Sequence, residues 1–414
     1  MHLLILSEAF PPETKSCATL FFELAESLVR RGHKVSVVTR KPLYNVAEGT
    51  DLKALPNRET IAGINVFRYQ TPPLVRTSPF FRGVEHFLLA IIFFLGGLRV
   101  KKVDAILIYS PPLTLGLAGY WLGRMKRSPL ISNIQDLYPQ TVIDLGLLNN
   151  KSLIKLSQIM EKFVYKKSDY VAVHSAGNKD YVVTKGAKEE RVKIAHNWVN
   201  TLAIQPGARD NDFSRKYDLK DKFVVSFAGV MGFAQGLDVV VRAAEILQRH
   251  KIQDTRLRTD NIKFVLVGDG VKKPALEAQV KELGLTNVLF VPTQPHNLYP
   301  LILHSSDVSL VTLRKALATP VVPSKLLSIM AAGLPAIVSV SCKSDAVKIV
   351  AEHNCGLSVE AENPAELAQA VLKLYNDKKL RDEMGQNGRQ AAEKYFSREA
   401  CVTSFENIIK EAVK

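Results

Sequence analysis

The 414-residue chain has four cysteines, Cys17, Cys342, Cys355 and Cys401, none in a Cys-x-x-Cys pair or at zinc spacing. That excludes a disulfide framework and a cysteine-based metal module, and it suits a reducing compartment. The uninterrupted apolar run from Phe87 to Leu95 is too short to span a bilayer, which needs about 20 residues. No Gly-x-Gly-x-x-Gly opens either half, which argues against a nicotinamide dinucleotide site. There is no zinc finger and no strand with paired aromatics, so no nucleic-acid module is expected. The start, Met1-His2-Leu3-Leu4-Ile5-Leu6, has no basic leader and no small-residue cleavage site. It reads as a first buried strand of a cytoplasmic protein rather than a signal peptide.

What is present is a chain long enough for two domains, 47% hydrophobic and 23% charged, as globular proteins are. The formal net charge of +15 suits an anionic membrane face or phosphorylated substrates, and equally plain solubility.

Short apolar runs alternate with longer helical patterns. In the first half the expected strands are Leu3–Leu6, Val35–Thr39, Asn65–Tyr69, Ala105–Tyr109, Leu130–Ile134 and Tyr170–His174. In the second they are Phe223–Phe227, Lys263–Val267, Val288–Val291, Val308–Val311 and Ala336–Val340. Buried runs separated by helices predict two parallel, doubly wound α/β sheets. Ligands of such sheets bind beyond the carboxyl ends of the strands, so two Rossmann-like domains facing each other predict an interdomain cleft. Trp198–Gly207 reads as a linker. The expected division is 1–200, 201–396, and a final helical segment 397–414 returning to the first domain. The segment Phe80–Lys102 crowds apolar residues between Arg82 and the basic trio Arg99, Lys101 and Lys102. It suits either a helix lying in a membrane interface or one buried behind the sheet.

The most informative stretch is 317–337. A polar loop ends in Pro323-Ser324, a helix starts at Lys325, and Gly333-Leu334-Pro335 turns the chain into strand Ala336–Val340. Free helix amides and a lysine aimed at one point suit a diphosphate. After the first strand, Lys15, Ser16 and Cys17 open the first helix in the same manner; Lys15 reads as a ligand contact or as a solvated lysine. Asp136 ends an apolar strand, where a carboxylate needs a partner or solvent. His174, at another strand end, reads as a hydrogen-bonded core histidine.

Pro323-Ser324-Lys325 followed by Met330-Ala331-Ala332-Gly333-Leu334-Pro335 resembles the donor motif of retaining nucleotide-sugar glycosyltransferases of family 4. Ser110-Pro111-Pro112-Leu113-Thr114-Leu115-Gly116, Gln135-Asp136-Leu137-Tyr138-Pro139, Asn197-Trp198-Val199-Asn200 and Gly232-Phe233-Ala234-Gln235-Gly236-Leu237-Asp238 are similar, in order and spacing, to one branch of that family. The branch contains fucosamine transferases of O-antigen synthesis and colanic-acid-type exopolysaccharide transferases. The resemblance implies a GT-B fold with the acceptor on the first domain, at Lys15, Ser16, Cys17 and Ser110. It implies the nucleotide sugar on the second, at Gly229, Gly232, Gln235, Gly236, Asp269, Gly270, Thr293, Pro323, Ser324, Lys325, Leu326 and Ser328. Asp136, Gln135 and Lys325 are the implied catalytic residues. Gly268-Asp269-Gly270 also reads as a tight turn.

The pattern has gaps. The family's paired donor-loop glutamates fall at Pro320 and Ser328, its arginine and lysine at Val230 and Gln235, and its histidine at Gln135. Lys325, helix N-termini, and Arg314 or Lys315 are left for the diphosphate. The donor loop has no Asp-x-Asp pair, so no essential metal is expected, and no cofactor beyond the nucleotide-sugar substrate. The expected activity is sugar transfer, most simply from a UDP-sugar, to a lipid-linked or oligosaccharide acceptor, with peripheral contact to the inner face of an anionic plasma membrane. A nucleotide-sugar 2-epimerase and a noncatalytic partner of another transferase are the alternatives.

Overall fold

The computed structural model describes residues 1–42, 46–47, 49–71, 79–253 and 261–414; the side chains of 79–82, 250–253 and 296 lie outside the described set. Phe80, Phe81, Arg82 and His296 are therefore placed by their backbone alone. The chain divides into two units, residues 1–197 with 399–414, and residues 198–398.

The strands of the first unit are β1 (His2–Leu6), β2 (Lys34–Arg40), β3 (Arg58–Ile61), β4 (Ile64–Tyr69), β5 (Ala105–Ser110), β6 (Leu130–Ile134), β7 (Tyr170–Val173) and β8 (Val192–Ile194). They form one sheet in the order β3-β4-β2-β1-β5-β6-β7-β8. All neighbours are parallel except β3 and β4. That departure from an all-parallel sheet has a local cause. Ala62 and Gly63 both have positive φ, the backbone of a two-residue hairpin that returns the chain antiparallel. Strand β1 is buried along its whole length, as a central parallel strand must be.

The helices of this unit include α1 (Ser16–Arg30), α2 (Pro79–Leu98), α3 (Thr114–Lys126), α4 (Lys151–Lys167) and α5 (Ala176–Thr184). Leu89 and Phe93 of α2, Leu115 and Leu122 of α3, Val164 of α4 and Val182 of α5 share one core with Leu4, Ile106 and Ile108. These four helices thus cover one face of the sheet. That arrangement comes from right-handed crossovers, because β5 through β8 step away from β1 in one direction and β2 in the other. Each fully buried side chain of this size contributes about 1.5–3 kcal/mol. Lys126 ends α2 by donating to the carbonyls of Leu98 and Val100, at 3.3 and 2.7 Å. The C-terminal helix Arg398–Val413 joins this unit through Glu406, which accepts from Arg31 at 2.7 Å and lies 3.0 Å from His33 Nε2.

In the second unit, β9 (Phe223–Ala228), β10 (Ile262–Val267), β11 (Val288–Val291), β12 (Val308–Thr312), β13 (Ala336–Val340) and β14 (Gly356–Glu360) form a parallel sheet in the order β11-β10-β9-β12-β13-β14. Its helices include α6 (Asp238–Gln253), α7 (Tyr299–His304) and α8 (Ser324–Ala331). Trp198–Gly207 is not a loose linker. Trp198, Val199 and Ile204 are buried, Val199 N–H donates to Phe396 O at 2.9 Å, and Arg389 donates to Ile204 O at 2.8 Å. Val199 and Ile204 make the segment part of the second unit's core.

Candidate functional site

In each sheet one position is singled out by topology. Strand order reverses between β1 and β5 in the first unit and between β9 and β12 in the second, so crevices open there at the carboxyl ends.

At the first switch point, α1 begins without a side-chain cap, leaving first-turn amides at the carboxyl edge of the sheet. Lys15 lies 3.3 Å from the buried Glu13, so it is an ion-paired residue rather than a freely solvated one. Cys17 follows in the first turn, and burial pushes its thiol up. It hydrogen-bonds Tyr109, whose hydroxyl is raised by burial first and then by Cys17, Asp136 and Glu8 around it. Ser110 is fully buried, and its Oγ has no hydrogen-bond partner among the described residues. Asp136 keeps one side open to solvent, while the protein packed around its carboxyl raises its pKa. Lys15, Ser16, Cys17, Ser110 and Asp136 thus gather on one edge.

Gln135 is placed differently. Its Nε2 donates to Asn133 and Asn197 at 3.1 and 3.0 Å, and its Oε1 accepts from Asn197 at 2.7 Å. Both ends of the amide are committed to holding the loop that carries Asp136. His174 is buried against Asn178, as expected of a core histidine.

At the second switch point the central pair is Lys325 and Gly229. Gly229 directly follows β9 with φ +149°, and a Cβ there would stand 2.4 Å from Lys325 Cε. The glycine makes room for the lysine side chain to cross the strand end. Lys325 Nζ lies 5.2 Å from the centre of the Phe227 ring, and burial lowers its pKa. Helix α8 starts at Ser324, with Pro323 before it and no side chain capping its first turn. The uncapped first turn of α8 and the Lys325 side chain thus both stand at the carboxyl end of β9, and Leu326 anchors the helix in the core.

The other glycines serve the same crevice from within. A Cβ on Gly268 would meet Gly229 O at 2.0 Å, and one on Gly270 would meet Met231 O at 2.5 Å. Met231 N–H donates to Asp269 O at 2.8 Å, joining the two loops. Gln235 Oε1 accepts from Gly232 N–H at 3.2 Å, shaping the first of them. Thr293 comes after β11 and is exposed. Ser328, one turn beyond Lys325, hydrogen-bonds Tyr299 of α7, a phenol that burial pushes up to about 12.

Two expected contributors are otherwise engaged. Arg314 pairs with Asp238 and Glu362 at 3.0 and 3.1 Å, and Lys315 with Glu360 at 2.5 Å. Helix α6 begins at Asp238, two residues beyond Gly236, and that carboxylate already complements its positive end. Sequence reasoning missed Tyr109, Tyr299 and the Phe227 ring under Lys325. Only Tyr109, a polar residue at the end of an apolar run, carried a signal.

A family model described as "Glycosyl transferase 4-like domain" matches residues 17–198, and one described as "Glycosyl transferases group 1" matches residues 209–391. The chain is 26% identical to a protein of Escherichia coli named for a colanic acid biosynthesis glycosyl transferase, WcaI, covering 99% of this chain and 100% of that one. It is 26% identical, over 56% of each chain, to the N-acetylgalactosamine-N,N'-diacetylbacillosaminyl-diphospho-undecaprenol 4-alpha-N-acetylgalactosaminyltransferase of Campylobacter jejuni. Among solved structures, HepE of Anabaena in complex with UDP aligns with a TM-score of 0.73 at 15% identity, covering 99% of this chain and 100% of that one.

Proposed function

The chain belongs to the family-4 glycosyltransferases of GT-B fold that serve polysaccharide biosynthesis, and from that premise we propose a retaining transfer from a UDP-sugar to a lipid-linked acceptor. The observation that carries this reading is Lys325, on the uncapped first turn of α8, whose side chain reaches across Gly229 at the switch point of the second sheet.

In this reading the second unit holds the nucleotide sugar. The amides of α8 and the ammonium of Lys325 meet the charge that develops on the leaving diphosphate. The diphosphate takes the acceptor's hydroxyl proton on the same face, so no carboxylate nucleophile is needed, and the losses at Pro320 and Ser328 are tolerable. The first unit holds the acceptor. Asp136 orients a sugar hydroxyl, Ser110 Oγ supplies an uncommitted polar group, and Gln135 braces the loop through Asn197. The UDP in the HepE complex and the undecaprenol-linked substrate in the Campylobacter name support this choice of donor and acceptor. No metal is required, because Lys325 and main-chain amides supply the positive charge; undiminished transfer in a chelator checks this. The protein works at an anionic membrane surface, where such an acceptor resides. None of the described helices is long and apolar enough to cross a membrane.

Incubation with UDP-, GDP- and ADP-sugars, with and without undecaprenyl-diphosphate-linked acceptors, tests the reading. Sugar added to the lipid from UDP alone supports it. An epimerised donor without acceptor points to the epimerase, and donor binding without turnover to the noncatalytic partner.

A further inference from the structure

One face of the first unit carries two features that sugar transfer does not use. The first is a cleft of about 870 Å³ on the flank of the sheet, over β2 and β4 and beside the end of α2. Lys34, Lys41, Arg58, Arg99 and Lys101 line it beside Arg68, which Glu59 pairs at 2.6 Å, and among the described residues no carboxylate lines it. Among the described residues none of these five cations is paired with an acid. Arg58 lies 5.2 Å from the centre of the Phe67 ring. Arg99 lies 5.9 Å from that of Tyr69 and donates to its hydroxyl at 3.4 Å. Like charges held together without counter-charge form an electropositive concavity that favours an anion with several oxygens.

The second is apolar. Val84, Phe87, Ile91 and Leu95 recur at helical spacing along α2 and are exposed, Ile91 by 56% and Leu95 by 53%. On α3, packed beside it, Trp121 and Met125 are 57% and 62% exposed. On α4, Leu156 and Ile159 are exposed too. All three helices cover the same face of the sheet. The stripe leads into the cleft, because Gly96 packs on the Tyr69 ring, where an added Cβ would lie 2.6 Å away, and Arg99-Val100-Lys101 come directly after.

We propose that this face docks on an anionic phospholipid bilayer, with the α2 stripe in the acyl boundary and lipid phosphate in the cleft at its end. The inference rests on the proposed work at a membrane surface and gives it a site. A second copy of this chain would cover an apolar stripe equally well, but its own five cations would face the first copy's. An apolar helix face with a tryptophan beside it and a cationic pocket at its end matches the layered chemistry of a membrane interface.

The test is cosedimentation of the full chain with vesicles of phosphatidylcholine alone or mixed with phosphatidylglycerol, at low and high salt. Native protein is expected to bind the anionic vesicles at least about tenfold more tightly, and to lose that preference in high salt. The variant Lys34→Gln/Arg58→Gln/Arg99→Gln/Lys101→Gln is expected to lose the preference while melting as native. Ile91→Ser/Leu95→Ser is expected to weaken binding to both vesicle types. Equal binding to both by native protein, or a preference untouched by the four glutamines, overturns the cleft assignment while the membrane reading stands. No binding to either vesicle overturns both. A dimer in solution that Ile91→Ser/Leu95→Ser dissociates overturns lipid as the occupant.

Discussion

Replacing Gly229 by alanine perturbs Lys325 without changing it. The new Cβ would stand 2.4 Å from Cε and 2.8 Å from Nζ of the lysine, closer than such atoms approach. The lysine end is flexible, so it swings aside. The backbone, at φ +149°, takes strain of about 1–3 kcal/mol. Displacing the ammonium removes a charge-assisted contact with the diphosphate worth about 1.5–3 kcal/mol, or about 10- to 150-fold in donor affinity. Lys325→Ala removes the same contact directly. The two losses therefore overlap, and the double variant is expected to bind UDP no more weakly than Lys325→Ala. Isothermal titration of UDP against the native chain and the three variants measures this, with melting curves reporting the backbone strain. Gly229→Ala binding within about twofold of native, or losses that add, would refute the arrangement.

Asp136→Asn is expected to keep the fold and UDP affinity and to lower transfer severalfold. Burial raises this carboxyl, so its charge disfavours folding above its raised pKa, and the amide is expected to leave melting at neutral pH unchanged or slightly higher. Native transfer is expected to fall as pH drops through that raised value. Ser328→Ala removes one hydrogen bond with Tyr299 and is expected to cost about 1 kcal/mol or less in UDP titration. Glu406 is held at about 2 by hydrogen bonds from Lys410, His33 and Arg31. Glu406→Gln is expected to cost about 1–3 kcal/mol in urea unfolding at neutral pH, toward the lower end because solvent screens the group. The native advantage is expected in full above the ordinary carboxyl value near 4.5 and to vanish as pH falls toward 2.

The buried strands were legible because a parallel strand covered on both faces must be apolar throughout. Strands β3, β8 and β14 were not, for physical reasons. Arg58–Ile61 is a half-exposed hairpin strand, Val192–Ile194 has three residues, and Gly356–Glu360 alternates on a sheet edge. The loop before α8 was legible because proline, serine and lysine at a helix start have few uses together. The glycines were expected to let the backbone approach the donor; the fold shows that Gly229 and Gly268 also stand close against other parts of the protein, Lys325 at Gly229 and the Gly229 carbonyl at Gly268. The engagement of Arg314 and Lys315 was hidden, because Asp238, Glu360 and Glu362 come from distant segments. The exposed stripe on α2 was hidden too, since the helix is apolar on several sides and only the fold decides which side is covered.

The central claim is tested most directly by mass spectrometry of an undecaprenyl-diphosphate-linked acceptor after incubation with the purified chain and a panel of UDP-sugars. Retaining transfer gives one added sugar from one donor, an α linkage if the donor is α, and equimolar UDP release, with sugar addition and UDP release both lowered in Lys325→Ala. An inverted linkage would contradict retention. A native rate in Lys325→Ala would contradict the donor site.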